Sequence, residues 1–167
     1  MSKKKIRFAV IGCGLMGREF ASAAARWCHL TKDIPAPVIV GVSDVNETAR
    51  RWFTDNFESV KYSTADYREL LEKDDIDAVY CAVPHNLHKQ IYVDIINAGK
   101  HLLGEKPFGI DKKANEKILE AIKENPDTFV RCCSEFPYYP AMQTLAVKMW
   151  TGAEPKLPYE QFDQART

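Results

Sequence analysis

The sequence predicts a doubly wound α/β domain, a parallel sheet covered by helices on both faces in three α/β/α layers, on two observations. Short β-branched runs alternate with segments of helical period along most of the 167 residues, and that alternation calls for parallel strands joined by right-handed crossovers. The runs are also apolar nearly throughout, as strands buried on both faces require.

Ile6 to Ile11 (IRFAVI) reads as the first buried strand and stops at Gly12. From Met16 the alanine-rich segment MGREFASAAARW takes a helical period, so the order is strand, glycine turn, helix. Pro35 and Pro37 interrupt the chain before a second strand, Val38 to Val42, and a helix follows over Asn46 to Phe53. SVKYS reads as a third strand, and Asp66 to Glu72 as a short helix with an aspartate at its start. Asp77 to Val83 is the fourth strand, ending at Pro84, and Leu87 to Ala98 is a helix closed by Gly99. A fifth strand from His101, a helix over Asp111 to Glu124, a sixth strand over Thr128 to Cys133 and a last helix over about Pro140 to Trp150 complete the domain, residues 1–150. Residues 151–167 hold two prolines and no apolar periodicity and read as an extended tail.

Composition narrows the function. A formal net charge of zero, with 28% charged residues, supplies no field to attract nucleic acid or anionic lipid. The basic cluster Lys3 to Lys5 reads as a solvated tail. No run of about 18 apolar residues occurs, and Met1 to Arg7 lacks the apolar core of a signal peptide, so a cytoplasmic location is expected. The five cysteines contain no C-x-x-C pair, and no two histidines flank an acid at helical i, i+4 spacing. No metal site is expected.

Three motifs carry chemistry. GCGLMG, residues Gly12, Cys13, Gly14, Leu15, Met16 and Gly17, fits G-x-G-x-x-G between a strand and a helix, the context that makes it a dinucleotide signature. Gly12 allows the tight turn, Gly14 lets a pyrophosphate approach the backbone, and Gly17 lets helix and strand pack closely. The helix start offers free N–H groups and partial positive charge to the phosphates. Asp44 closes the second strand, where a carboxylate accepts from the adenosine ribose hydroxyls and repels a 2′-phosphate, so NAD is expected in preference to NADP. Arg50 and Arg51 read either as solvated helix charges or as phosphate contacts. VPHNLH places Val83, Pro84, Asn86 and His88 at the end of the fourth strand, the edge where open sheets bind ligands. His88 reads either as a border of the cofactor's reactive end or as a polar residue of a first helical turn.

In HLLGEKPFGI the fifth strand ends at Glu105, Lys106 and Pro107. Proline holds Lys106 extended at the same sheet edge, from which its ammonium can donate to a substrate oxygen as hydride moves, provided it is desolvated and paired. Strand alternation points Glu105 to the other face.

Together GCGLMG, VSD, VPHNLH, AGKHLLGEKPFGI and SEFPYYPAMQ resemble the N-terminal half of the glucose-fructose oxidoreductase, inositol dehydrogenase and rhizopine catabolism (Gfo/Idh/MocA) family, over residues 5 to about 152. The resemblance implies a Rossmann fold and NAD(P)-dependent hydride transfer to or from a sugar, inositol or related polyol. It makes Lys106 the catalytic lysine of the E-K-P signature and maps the family's P-x-x-x-H element onto Pro84 and His88, so that His88 joins Lys106 as a catalytic candidate. Glu105 and Lys106 are then expected beside the cofactor with the glycine-loop residues and Val83, Pro84 and Asn86. Pro137 stands where the family usually carries arginine. Family members continue into a substrate-binding sheet, so the chain looks like the nucleotide-binding half, expected to be inactive alone. A homo-oligomer or a partner chain would then supply the other wall. The alternative function is a non-catalytic NAD-binding module or regulatory subunit.

Overall fold

The computed structural model describes residues 4–31, 34–134, 139, 142 and 143. Residues 1–133 and 134–167 are separate compact units, the first of which holds every element named here. The helix expected over Pro140 to Trp150 falls almost wholly, and the tail over 151–167 entirely, outside the described residues.

Six strands form one sheet in the order β3-β2-β1-β4-β5-β6, and every pairing is parallel. They are β1 (Lys5–Ile11), β2 (Ala36–Ser43), β3 (Tyr62–Thr64), β4 (Ala78–Cys81), β5 (His101–Glu105) and β6 (Val130–Cys133). The crossovers carry α1 (Leu15–Ala25), α2 (Glu47–Asn56), α3 (Arg68–Leu71), α4 (His88–Asn97) and α5 (Lys112–Glu124). Strand order reverses between β1 and β4, and a crevice opens beyond the carboxyl ends of strands at such a point.

Local chemistry explains the boundaries. Asn46 Oδ1 accepts from the Thr48 and Ala49 N–H groups at 2.9 and 3.3 Å and starts α2. Asp111 Oδ1 accepts from Ala114 N–H at 2.7 Å and starts α5. Gly99, at φ +70°, closes α4. Pro37 lies inside β2, upstream of the residues that pair with β3, so its missing N–H leaves no ladder bond broken on that side. The third strand is shorter and later than SVKYS suggested. Lys61 N–H already bonds Val40 O at 2.8 Å, but only Tyr62–Thr64 run beside β2.

The strands are buried on alternate faces. Ala9, Ile11, Val79, Cys81 and Leu102 pack against Leu70 of α3, Tyr92 and Ile95 of α4, and Ile118 of α5. Val10, Val42 and Tyr80 pack the other way, against Ala21 and Ala24 of α1 and Phe53 of α2. This is the three-layer arrangement that the apolar runs predicted.

At the opposite end of the sheet Arg7 locks β1 to the residue before β4. Its backbone N–H and Nε donate to Asp77 Oδ2 at 2.7 and 2.9 Å, its Nη2 bonds Oδ1, and Arg7 O accepts from Asp77 N–H at 2.9 Å. The guanidinium holds the Asp77 carboxyl below its usual value, by hydrogen bonding first and charge after it. A carboxyl whose folded value is depressed contributes fully above its unfolded value of about 3.9, and the contribution is lost as pH falls toward and through the folded value. Denaturant titrations below pH 5 should therefore show a shallower acid loss of stability in Asp77→Asn than in the native sequence. The difference should be small, because side-chain exposures of 38% and 32% let water screen the pair.

Candidate functional site: the cleft at the strand-order reversal and the Lys106 turn

The glycine turn after β1 is fixed by its neighbours. Gly12 adopts φ +93°, and a Cβ there would lie 2.4 Å from Ala82 O. Its N–H donates to Ser43 O at 2.8 Å, so the turn is pinned between β2 and β4. A Cβ on Gly17 would meet Gly12 O at 2.2 Å, the close helix-to-strand approach the motif requires. Gly14 differs: a Cβ there would meet nothing within 4 Å. Gly14 is the N-cap of α1, which has no side-chain cap and no acidic residue in its first turn. Among the described residues no side chain caps the first N–H groups of this helix.

Asp44 sits beside this turn. Its Oδ2 accepts from Cys13 N–H and its Oδ1 from Asn46 N–H, both at 2.8 Å. Arg50 Nη1 donates to Asp44 O, whereas Arg51 pairs with Glu47 on the exposed face of α2 at 2.9 Å. Arg50 therefore braces the loop that carries Asp44 rather than lying free in solvent. Burial first, then the Asp44 charge, pushes the Cys13 thiol up to about 12, so that side chain is a small apolar filler without nucleophilic character.

A cleft of about 830 Å³ opens here, lined by Gly12, Gly14, Asp44, Val83 and Pro84 among the expected residues. Cys13, Leu15, Met16, Gly17, Asn86, His88, Glu105 and Lys106 do not line it. Leu15 and Met16 expose their side chains at the start of α1, and Asn86 is exposed in a 3-10 turn, His85–Leu87. The sequence reading missed the far wall, Ala65, Asp66, Tyr67, Arg68 and Gln90. Tyr67 donates to Asp94 Oδ2 at 2.5 Å, and Gln90 Nε2 to Oδ1 at 2.8 Å. Arg68 lies 4.8 Å over the Tyr67 ring and 3.3 Å from Asp66. The available signal was positional: this segment leaves the carboxyl end of the strand next to β2.

The Lys106 turn is held from beneath by buried polar groups. Glu105 is 7% exposed; Tyr80 donates to its Oε1 at 2.8 Å and Lys106 N–H to its Oε2 at 3.2 Å. Tyr92 donates to Glu105 O at 2.9 Å, and its ring reaches there because Gly104 has no side chain: a Cβ would lie 2.7 Å from the ring. The Lys106–Pro107 bond is cis. Lys106 itself is exposed and makes no ion pair among the described residues.

Two expectations are corrected. His88 is fully buried, with Nδ1 2.7 Å from Pro107 O and Nε2 3.0 Å from Val83 O. Both nitrogens are occupied by backbone carbonyls, so neither is presented to a substrate or cofactor. Glu105 turns away from the cleft, as strand alternation required, and its carboxylate is used by Tyr80 and Lys106 N–H rather than by a ligand. Among the described residues no three His, Cys, Asp or Glu side chains converge as a metal site, and no helix is long and apolar enough to cross a membrane.

The model of an oxidoreductase family with an NAD-binding Rossmann fold matches residues 6–131. The chain belongs to the Gfo/Idh/MocA family. It is 33% identical over 120 residues to scyllo-inositol 2-dehydrogenase (NADP(+)) of Bacillus subtilis, a match covering 72% of this chain and 34% of that protein. Levoglucosan dehydrogenase of Pseudarthrobacter phenanthrenivorans is 30% identical over 127 residues, 72% of this chain and 31% of that one. A 3-ketoreductase from Actinomadura kijaniata, solved with NADP and TDP-benzene, superposes with a TM-score of 0.70 at 26% identity, covering 87% of this chain and 42% of that one. The chain thus spans about a third of the length of the curated relatives it matches.

The Tyr80–Glu105 bond gives a stability test. Tyr80→Phe leaves a buried carboxylate oxygen without its donor and should lower unfolding free energy by about 1–3 kcal/mol, read as a shift in denaturant midpoint at constant m. A change within error would mean that solvent reaches Glu105.

Proposed function

We propose that this domain binds a nicotinamide dinucleotide in the cleft, NAD in preference to NADP, and presents it beside Lys106 for hydride transfer to or from a sugar, inositol or related polyol hydroxyl. The supporting observation is the open space over Gly14, between an uncapped helix start and the Asp44 carboxylate. Gly14 and the first N–H groups of α1 would hold the diphosphate. Each Asp44 oxygen accepts one backbone N–H and keeps a lone pair, enough for two ribose hydroxyls, while its charge opposes a 2′-phosphate. The nicotinamide, when bound, supplies the hydride donor or acceptor. Lys106 would donate a hydrogen bond to the reacting oxygen and stabilise the negative charge that develops there as the C–H bond breaks or forms. The relatives act on an inositol and on levoglucosan by their names, which supports a polyhydroxylated substrate here. Five free thiols support a reducing, cytoplasmic location. A second copy or a partner chain completing the substrate wall is part of the same reading.

Isothermal titration with NAD and NADP tests this. Gly14→Val adds bulk where no protein atom stands, so it should weaken NAD binding by about tenfold or more with an unchanged unfolding midpoint. Gly12→Ala should instead destabilise the fold, through a positive φ and a clash with Ala82 O. Asp44→Ser should narrow the NAD over NADP preference by about 10- to 100-fold, the worth of charged hydrogen bonds. Absence of binding by the native chain at millimolar nucleotide would reject the proposal.

Where NAD-dependent polyol oxidation is measured, Lys106→Met should cut kcat by about 10²- to 10⁴-fold while the affinity for NAD stays close to native. Binding without turnover that depends on Lys106 would identify a nucleotide-binding module instead.

A further inference from the structure

Beside Asp44 the cleft continues into a region that neither the glycine turn nor Lys106 accounts for. Asp44 N–H donates to Thr64 O at 3.3 Å, so the ends of β2 and β3 lie side by side. Val45 follows Asp44, Ala65 and Tyr67 follow β3, and these line the cleft together with Leu87, Gln90 and Ile91 from the start of α4. Val45 is 89% exposed and Leu87 43%. Aliphatic side chains left uncovered in a cleft suit a flat ring. Lys106 follows β5, on the other side of β1 and β4 from β3, so this is the end of the cleft remote from the reacting centre.

Gln90 is the polar group of this region whose orientation is set by its neighbours. Its Nε2 donates to Asp94 Oδ1 at 2.8 Å, and the other oxygen of that carboxylate accepts from the Tyr67 hydroxyl at 2.5 Å. A carboxylate accepts, so the amide is held with its nitrogen toward Asp94 and its oxygen away from it. Among the described residues Oε1 has no hydrogen-bond partner. Burial first, then the bond to Asp94, pushes the Tyr67 hydroxyl up to about 12, so it stays a donor at neutral pH. The neighbouring acceptor, Asp66, is engaged with its own loop: its Oδ1 accepts from Arg68 N–H at 3.0 Å and Arg68 Nη1 at 3.3 Å.

We propose that Gln90 selects adenine as the base of the dinucleotide: Oε1 accepts from the 6-amino group, with Asp94 and Tyr67 as positioning residues that set the amide's orientation. This rests on the reading of the cleft as the nucleotide site and goes beyond it, because contacts to diphosphate at Gly14 and to ribose at Asp44 do not distinguish one base from another. Apolar contact with Val45 and Leu87 is likewise tolerant of ring substituents. A purine with a 6-oxo group would set a carbonyl oxygen against Oε1, losing the hydrogen bond and leaving two acceptors face to face.

Isothermal titration of the native chain with NAD and with nicotinamide hypoxanthine dinucleotide, which carries a 6-oxo in place of the 6-amino group, tests this. NAD should bind about tenfold more tightly or better. Equal affinities would overturn the proposal and leave the nucleotide reading standing, whereas binding of neither would reject both. In Gln90→Leu, a change at an exposed position, the two dinucleotides should bind alike. A retained preference for NAD would overturn the assignment to Gln90 and point to Asp66. Asp94→Asn keeps the shape of the side chain but can donate as well as accept, which lets the Gln90 amide turn either way. The preference should then narrow several-fold, and a native preference would overturn the positioning role. If that variant does not fold, Tyr67→Phe, which removes the other anchor of Asp94, takes its place with the same expectation.

Discussion

The missing side chain at Gly12 is the constraint on which the rest of the cleft depends. β1 and β4 are direct neighbours, and beyond Ile11 the chain must turn under Ala82 with no room for a Cβ. That close passage sends α1 away from β1 at the point where strand order reverses, with its N-cap, Gly14, lining the crevice. Asp44 then bonds Cys13 N–H and fixes the turn against β2. Three strand ends are thereby held in register by backbone contacts, and the volume between them is left for a ligand.

The parts of this arrangement legible in the sequence are those where backbone geometry dictates residue type. Only glycine suits a positive φ beneath a carbonyl, and a carboxylate ending an apolar strand has few reasons to be there other than hydrogen bonding. Gly12, Gly14 and Gly17 could therefore be singled out from their spacing and Asp44 from its place at the strand end, whereas the caps at Asn46 and Asp111 emerged only with the structure. His88 could not be read that way. Its sequence position marks the start of a helix, but its role follows from two carbonyls, one of them 19 residues away, and no periodicity encodes that. The segment Asp66 to Arg68 was legible as the start of a short helix, but not as a wall of the cleft, because that depends on how the end of β3 sits beside β2 rather than on any local pattern.

Beneath Lys106 the fold accepts buried polar groups that an apolar core would avoid. A buried carboxylate is costly unless its oxygens are bonded, and Glu105 meets that demand with Tyr80 and Lys106 N–H. Tyr80 stacks on Phe20 at 4.3 Å in the layer beneath α1, while Tyr92 reaches Glu105 O from the opposite face. The turn is thus gripped by side chains from both faces of the sheet. Such doubly anchored backbone suits a lysine whose α-carbon must be placed accurately although its side chain is long and flexible.

This division between a fixed base and a free ammonium bears on where catalytic power would reside. A lysine exposed to water interacts with a developing oxyanion through a high dielectric, and at about 4 Å such a pair gains only about 1 kcal/mol in bulk water. The same contact becomes worth several times more once water is excluded. The domain supplies the location of Lys106 but leaves its side chain exposed, so on the proposed reading any rate enhancement from this residue would be set by whatever excludes water around it. Nucleotide binding needs no such closure, because Gly14, the start of α1 and Asp44 are already in place. If the proposed function holds, affinity for the dinucleotide and the catalytic value of Lys106 would therefore be separable properties, the first carried by this sheet edge and the second conditional on the surface that covers it.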